Sequence, residues 1–88
     1  MTEAIKQQVA SFVLAVLCVS AANGMPRESL LREARLQVWR ELTDADLGLV
    51  LRELGDKRLV IDAPSALGPA RYRITDHGRS VAREEGLA

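Results

Sequence analysis

The chain has 88 residues, 48% hydrophobic and 27% charged, with its twelve basic and twelve acidic side chains in balance. That is one small globular domain with a modest core, too short for a core plus a roomy catalytic cleft and too apolar for disorder. The aromatic residues are Phe12, Trp39 and Tyr72 alone, so the core is expected to be aliphatic, and the single Cys18 excludes an internal disulfide and suits a reducing compartment.

A helix is expected over 3–22. Glu3 to Ala22 holds no Gly or Pro, and Ile5, Val9, Phe12, Val13 and Val16 fall on one helical stripe. Asn23-Gly24 ends it with residues that tolerate positive φ. Val9 to Ala22 is the most apolar stretch, but it is too short to span a bilayer, contains Ser11 and Ser20, and has only Lys6 as a basic flank. A cytoplasmic protein without a membrane segment is the expectation. Ala10, Leu14, Cys18 and Ala21 give this helix a second apolar side. Either later elements of the same chain cover that side, or it is the seam of a homodimer.

A second helix is expected over 26–36. Pro26 suits its first turn, Glu28 sits where the helix dipole favours an acid, and Leu30, Leu31 and Ala34 face inward. No Gly or Pro interrupts Arg27 to Leu42, so 36–42 reads equally well as helix or as loop. Thr43 with Asp46 three residues on is a capping-box variant that starts a third helix over 44–55. Leu47, Val50, Leu51 and Leu54 make its inward stripe, while Ala45, Gly48, Leu49, Arg52 and Asp56 point outward. Gly55-Asp56 is expected to terminate it.

Leu59 to Asp62 is a short β-rich run behind Lys57-Arg58. Arg71 to Ile74 alternates strictly, with Tyr72 and Ile74 on one face and Arg71 and Arg73 on the other. Ala63 to Ala70 carries two prolines and is too long for a tight hairpin, so a looping tip joins two strands in a ribbon spanning 58–74. Thr75 then caps a last helix over 76–85. The fold class is therefore mainly α with a small β-hairpin (α+β), one domain over 1–88. Three core helices, a two-stranded wing and a short C-terminal helix make a winged helix-turn-helix.

Tyr72-Arg73-Ile74-Thr75-Asp76-His77-Gly78-Arg79 resembles the strand-to-helix junction of bacterial winged-helix regulators of the MarR and PadR kind. Those commonly read aromatic-x-aliphatic-Thr-x-x-Gly-Arg. Leu51 to Val60 is similar to their exit from the recognition helix, where a leucine pair leads through a charged turn into an aliphatic strand. The likeness covers Thr43 to Arg83. The overall length and layout also resemble small winged-helix proteins of Mu-like prophages. In such families the third helix enters the major groove and wing residues reach phosphates or the minor groove. Carried onto this chain, the resemblance implies contacts to duplex DNA from Arg52, Lys57, Arg58, Arg71 and Arg73, in a small transcriptional or phage-type regulator acting as a homodimer.

Charge distribution bears on that reading from both sides. Residues 1–56 hold six basic and eight acidic side chains, whereas 57–83 hold six basic and two acidic, so the wing half is electropositive. Against it, the third helix carries Asp44, Asp46 and Glu53, which phosphates repel, and its outward centre is Gly48-Leu49. The alternative is a winged helix that serves as a protein-interaction module, meeting its partner through Gly48, Leu49 and Leu67. No Gly-rich phosphate loop, Ser/His/Asp constellation or pair of histidines at metal spacing is present in the sequence, so neither enzyme activity, cofactor nor metal is expected. His77 reads as a surface residue, Cys18 as a small buried hydrophobe and Trp39 as a lid on the core.

Overall fold

The protein's computed structural model describes residues 1–20, 24–63, 67–68 and 70–87. In chain order they form α1 (Glu3–Val19), β1 (Met25–Pro26), α2 (Arg27–Gln37), α3 (Asp44–Asp56), β2 (Val60–Ala63), β3 (Arg71–Ile74) and α4 (Asp76–Glu84). This is a small α+β domain with a three-stranded antiparallel sheet in the order β1-β3-β2.

Each helix starts at a residue that supplies a hydrogen-bond acceptor or a fixed φ. Thr2 Oγ1 accepts from Ile5 N–H at the start of α1, and Thr43 and Asp46 close a reciprocal capping box on α3. α1 stops at Val19, short of the expected Ala22. Ser20 turns to extended backbone, and its hydroxyl donates to the Leu17 carbonyl at 3.0 Å. The expected Asn23 stop and Ala21 lie outside the described residues, as do residues 64–66 and 69 of the expected wing tip.

Nothing in the pattern of residues 27–42 forces a break, yet α2 ends at Gln37. Leu42 lies just past the break. It is fully buried there, and the turn leaves Thr43 in extended backbone, where it caps α3. The turn is held by the Val38 and Trp39 N–H groups, both donating to the Ala34 carbonyl, and by Arg35 Nε donating to the Leu42 carbonyl at 2.6 Å. Trp39 packs half-buried against the core edge.

The expectation at the other end of α3 needs correction. Gly55 lies inside the helix, and the left-handed residue that ends it is Arg58, at φ 60°. Leu59 N–H bonds the Leu54 carbonyl and Arg58 N–H bonds the Gly55 carbonyl, each at 2.9 Å. That is the Schellman pattern with arginine at the position usually held by glycine, and the buried Leu54 and Leu59 flank it.

β1 is an element that the sequence pattern did not reveal. Met25 pairs with Tyr72 and Pro26 with Arg71, so β1 lies on one side of β3 while Val60 to Ala63 pair on the other. A proline without an N–H is tolerated at such an outer strand. Gly24, at φ +76°, brings the chain into this pairing, and a Cβ there would stand 2.2 Å from the Tyr72 carbonyl oxygen.

The core is aliphatic: Val9, Val13 and Leu17 of α1, Leu30 and Ala34 of α2, and Leu47, Val50, Leu51 and Leu54 of α3 meet Leu42, Leu59 and Val60. α4 packs along α1. Leu14 on the second apolar side is 5% exposed within this single chain, whereas Ala10 and Cys18 are half-buried. No helix among the described residues is long and apolar enough to cross a membrane.

The Thr75-x-x-Gly78-Arg79 motif has a structural task at each position. Thr75 Oγ1 accepts from Gly78 N–H at 2.9 Å and donates to the Arg58 carbonyl at 2.7 Å, while Thr75 N–H donates to the Leu59 carbonyl at 3.0 Å. These bonds tie the start of α4 to the end of α3. Gly78 lets the first turn of α4 lie against the Leu59 backbone, and Arg79 Nη1 donates to the Cys18 carbonyl near the end of α1 at 3.2 Å.

Candidate nucleic-acid interface

The outward face of α3 is the stripe Ala45, Gly48, Leu49, Arg52 and Asp56, since Leu47, Val50, Leu51 and Leu54 turn into the core. Arg52 is exposed and makes no side-chain hydrogen bond or ion pair among the described residues. Lys57 and Arg58 follow directly, both exposed, in the turn that joins α3 to β2. Arg73 projects from β3, exposed, on the face away from Tyr72 and Ile74, which pack against the core. Arg71 shares that face but is half-buried, and its Nη1 donates to the Gly24 carbonyl at 3.1 Å. One of its guanidinium nitrogens therefore steadies the chain ahead of β1.

Three of the four acidic residues of α3 are less available than the sequence implies, whereas Asp56, on the outward stripe, is exposed and has no side-chain partner among the described residues. Asp44 is held by Arg27, whose Nε donates to Oδ1 at 2.9 Å and whose Nη2 donates to Oδ2 at 3.1 Å. Glu53 is paired with Lys6 of α1, and Asp46 accepts from the Thr43 N–H. The Glu53 hydrogen bond raises the Lys6 pKa above its ordinary value, with Glu3 helping and desolvation opposing. Bonding to Asp44 does the same for Arg27, with a smaller contribution from Tyr72. Asp44, Asp46 and Glu53 thus each have a cation or an N–H of their own chain, and each contributes less net repulsion toward an approaching phosphate.

A groove of about 530 Å³ runs between α3 and the sheet, lined by Arg27, Gly48, Arg52, Ile61, Asp62 and Tyr72 among others. Arg27 was not legible as a site residue, because it is one arginine among many at the start of a different helix. Gly48 was the available signal, since a glycine in the middle of a well-formed helix, away from its end, usually answers a packing need. Leu49 is 57% exposed and Leu67 fully exposed, so the apolar residues of the alternative reading are also at the surface. His77 is exposed in the first turn of α4. No group of three or more potential metal ligands occurs among the described residues.

Arg58 offers a direct check on this geometry. A left-handed L-residue is disfavoured by about 1 kcal/mol or more, so Arg58→Gly is expected to raise stability by about 0.5–1 kcal/mol. It removes a cation from the interface at the same time. Thermal unfolding checks the first effect, and an unchanged or lowered Tm would contradict the helix-end assignment.

Neither a protein-family model nor a curated relative matches the sequence.

Proposed function

We propose that the chain is a winged helix-turn-helix protein that binds duplex DNA through the outward face of α3 and the β2–β3 ribbon, as a small cytoplasmic transcriptional or phage-type regulator. The element order supports the fold part of this reading: a helix and short strand, two helices joined by a tight turn, then a two-stranded ribbon whose second strand also receives the first. The observation that carries the DNA part is how charge is partitioned. Asp44, Asp46 and Glu53 are taken up by partners within the chain, while Arg52, Lys57, Arg58 and Arg73 have no side-chain partner among the described residues. Four free cations beside a helix face on which Asp56 is the one α3 carboxylate without a partner among the described residues favour polyanion binding.

The exposure of Leu49 and Leu67 favours a second reading, a winged helix that docks on a protein. The two readings separate by mutation. For a DNA binder, Arg52→Ala and Arg73→Ala each weaken duplex binding, measured by titration at low salt, and Leu49→Ala changes it little. Tight binding of a protein partner that is lost with Leu49→Ala and kept with Arg73→Ala would favour the second.

A further inference from the structure

Arg27 is the first residue of α2, yet its guanidinium lies across α3. Besides the two bonds to the Asp44 carboxylate, Nη2 donates to the Asp44 main-chain carbonyl at 2.9 Å. Gly48, one turn further along α3, makes room for it: a Cβ at Gly48 would stand 2.5 Å from Nη2 and 3.4 Å from Cζ. Since Gly48 is central to the outward stripe, α3 carries on that face a cation supplied by another helix. The three bonds engage Nε and Nη2 and leave the N–H groups of Nη1 outside them. The Arg27 side chain is 37% exposed and borders the same groove as Arg52.

We propose that Arg27 and Arg52 form a seat for one backbone phosphate of the duplex, at the lip of the groove between α3 and the β2–β3 ribbon, with Asp44 and Gly48 as its positioning residues. This rests on the DNA-binding reading above and adds to it a contact that the resemblance did not supply. A guanidinium presents N–H donors in a planar fork that matches phosphate oxygens. One already held at Nε and Nη2 loses less rotamer freedom on binding than a free surface arginine. Asp44, which by sequence alone counts against DNA, becomes the group that aims Arg27.

The test is duplex binding by the wild type, Arg27→Ala, Gly48→Ala, Asp44→Ala and the double variants Arg27→Ala/Gly48→Ala and Arg27→Ala/Asp44→Ala across a salt series, with the Tm of each. Arg27→Ala is expected to weaken binding about tenfold at low salt and to lower the salt slope by about one. The loss is expected to persist in Arg27→Ala/Asp44→Ala relative to Asp44→Ala, which separates a phosphate contact from the mere unmasking of the Asp44 carboxylate. Gly48→Ala leaves net charge unchanged and favours the helix, so its Tm is expected to stay at or above the wild-type value while binding weakens. Arg27→Ala/Gly48→Ala is expected to bind no more weakly than Arg27→Ala alone, because Gly48 acts through Arg27. Wild-type affinity and slope in Arg27→Ala, with Arg52→Ala and Arg73→Ala both impaired, would overturn the phosphate seat and leave the DNA reading standing. A loss from Gly48→Ala that persists in the Arg27→Ala background would overturn the role given to Gly48. Salt-independent behaviour of the wild type itself would remove both readings.

Discussion

Replacing Gly78 with alanine is expected to cost about 2–3 kcal/mol, which for a domain of this size lowers Tm by roughly 10–20 °C. The added Cβ would stand 2.1 Å from the Leu59 carbonyl oxygen and 2.7 Å from Ile74 Cγ1. The carbonyl oxygen belongs to backbone fixed by the Thr75 N–H, so relief requires α4 to move off the end of α3. The intrinsic preference of a helix for alanine over glycine, about 1 kcal/mol, offsets only part of that. Gly55→Ala is the matched comparison. Its Cβ would meet nothing closer than the Val60 carbonyl oxygen at 4.0 Å, so stability is expected to hold or rise by about 0.5 kcal/mol. Equal Tm values for Gly78→Ala and the wild type would mean that the α4 start is not seated against Leu59.

Leu14→Ala is the second large effect, an expected loss of about 2–4 kcal/mol that does not vary with protein concentration. Leu14 is buried within one protomer. It is 5% exposed in a single chain, with α4 packed along the same helix, so truncation opens a void inside the protomer. If Leu14 were instead covered mainly by a second copy, the wild-type Tm would climb with concentration and the variant's deficit would shrink on dilution. Thermal unfolding over a hundredfold range of concentration separates the two outcomes.

Much of the architecture was legible because its signals are local. The apolar stripe Leu47, Val50, Leu51 and Leu54 behind the Thr43–Asp46 box placed α3 to within a residue, and the alternation of Arg71 to Ile74 placed β3. Non-local features were not legible. β1 is two residues long and is defined only by its pairing with β3, which no periodicity within Met25-Pro26 can encode. The break after Gln37, held by the Arg35 contact to the Leu42 carbonyl and followed by the buried Leu42, is a tertiary feature that a continuous helical pattern does not encode. Arg58 at the helix end defeated the glycine rule, which pointed to Gly55 three residues early.

The site was legible as residue types and not as electrostatics. Asp44 and Glu53 looked like free carboxylates because their partners, Arg27 and Lys6, lie 17 and 47 positions away in the chain. Arg71 and Arg73 were indistinguishable by alternation, yet one guanidinium binds the Gly24 carbonyl and the other is free among the described residues. The Thr-x-x-Gly-Arg junction, the most specific part of the resemblance, spends its residues on joining α3, α4 and α1. It therefore speaks to the fold more than to the ligand.

In the proposed function this domain holds DNA phosphates with the cations of α3, of the turn that follows it and of the ribbon. Fluorescence anisotropy with a labelled random duplex, from low to moderate salt, tests it most directly, with Arg52→Ala/Arg73→Ala as the comparison. The expected result is binding that weakens linearly in log salt, with a slope about one smaller for each phosphate contact the variant lacks. No binding at low salt, or binding indifferent to salt and to both substitutions, would contradict the claim, because even a sequence-specific reader retains affinity for phosphates.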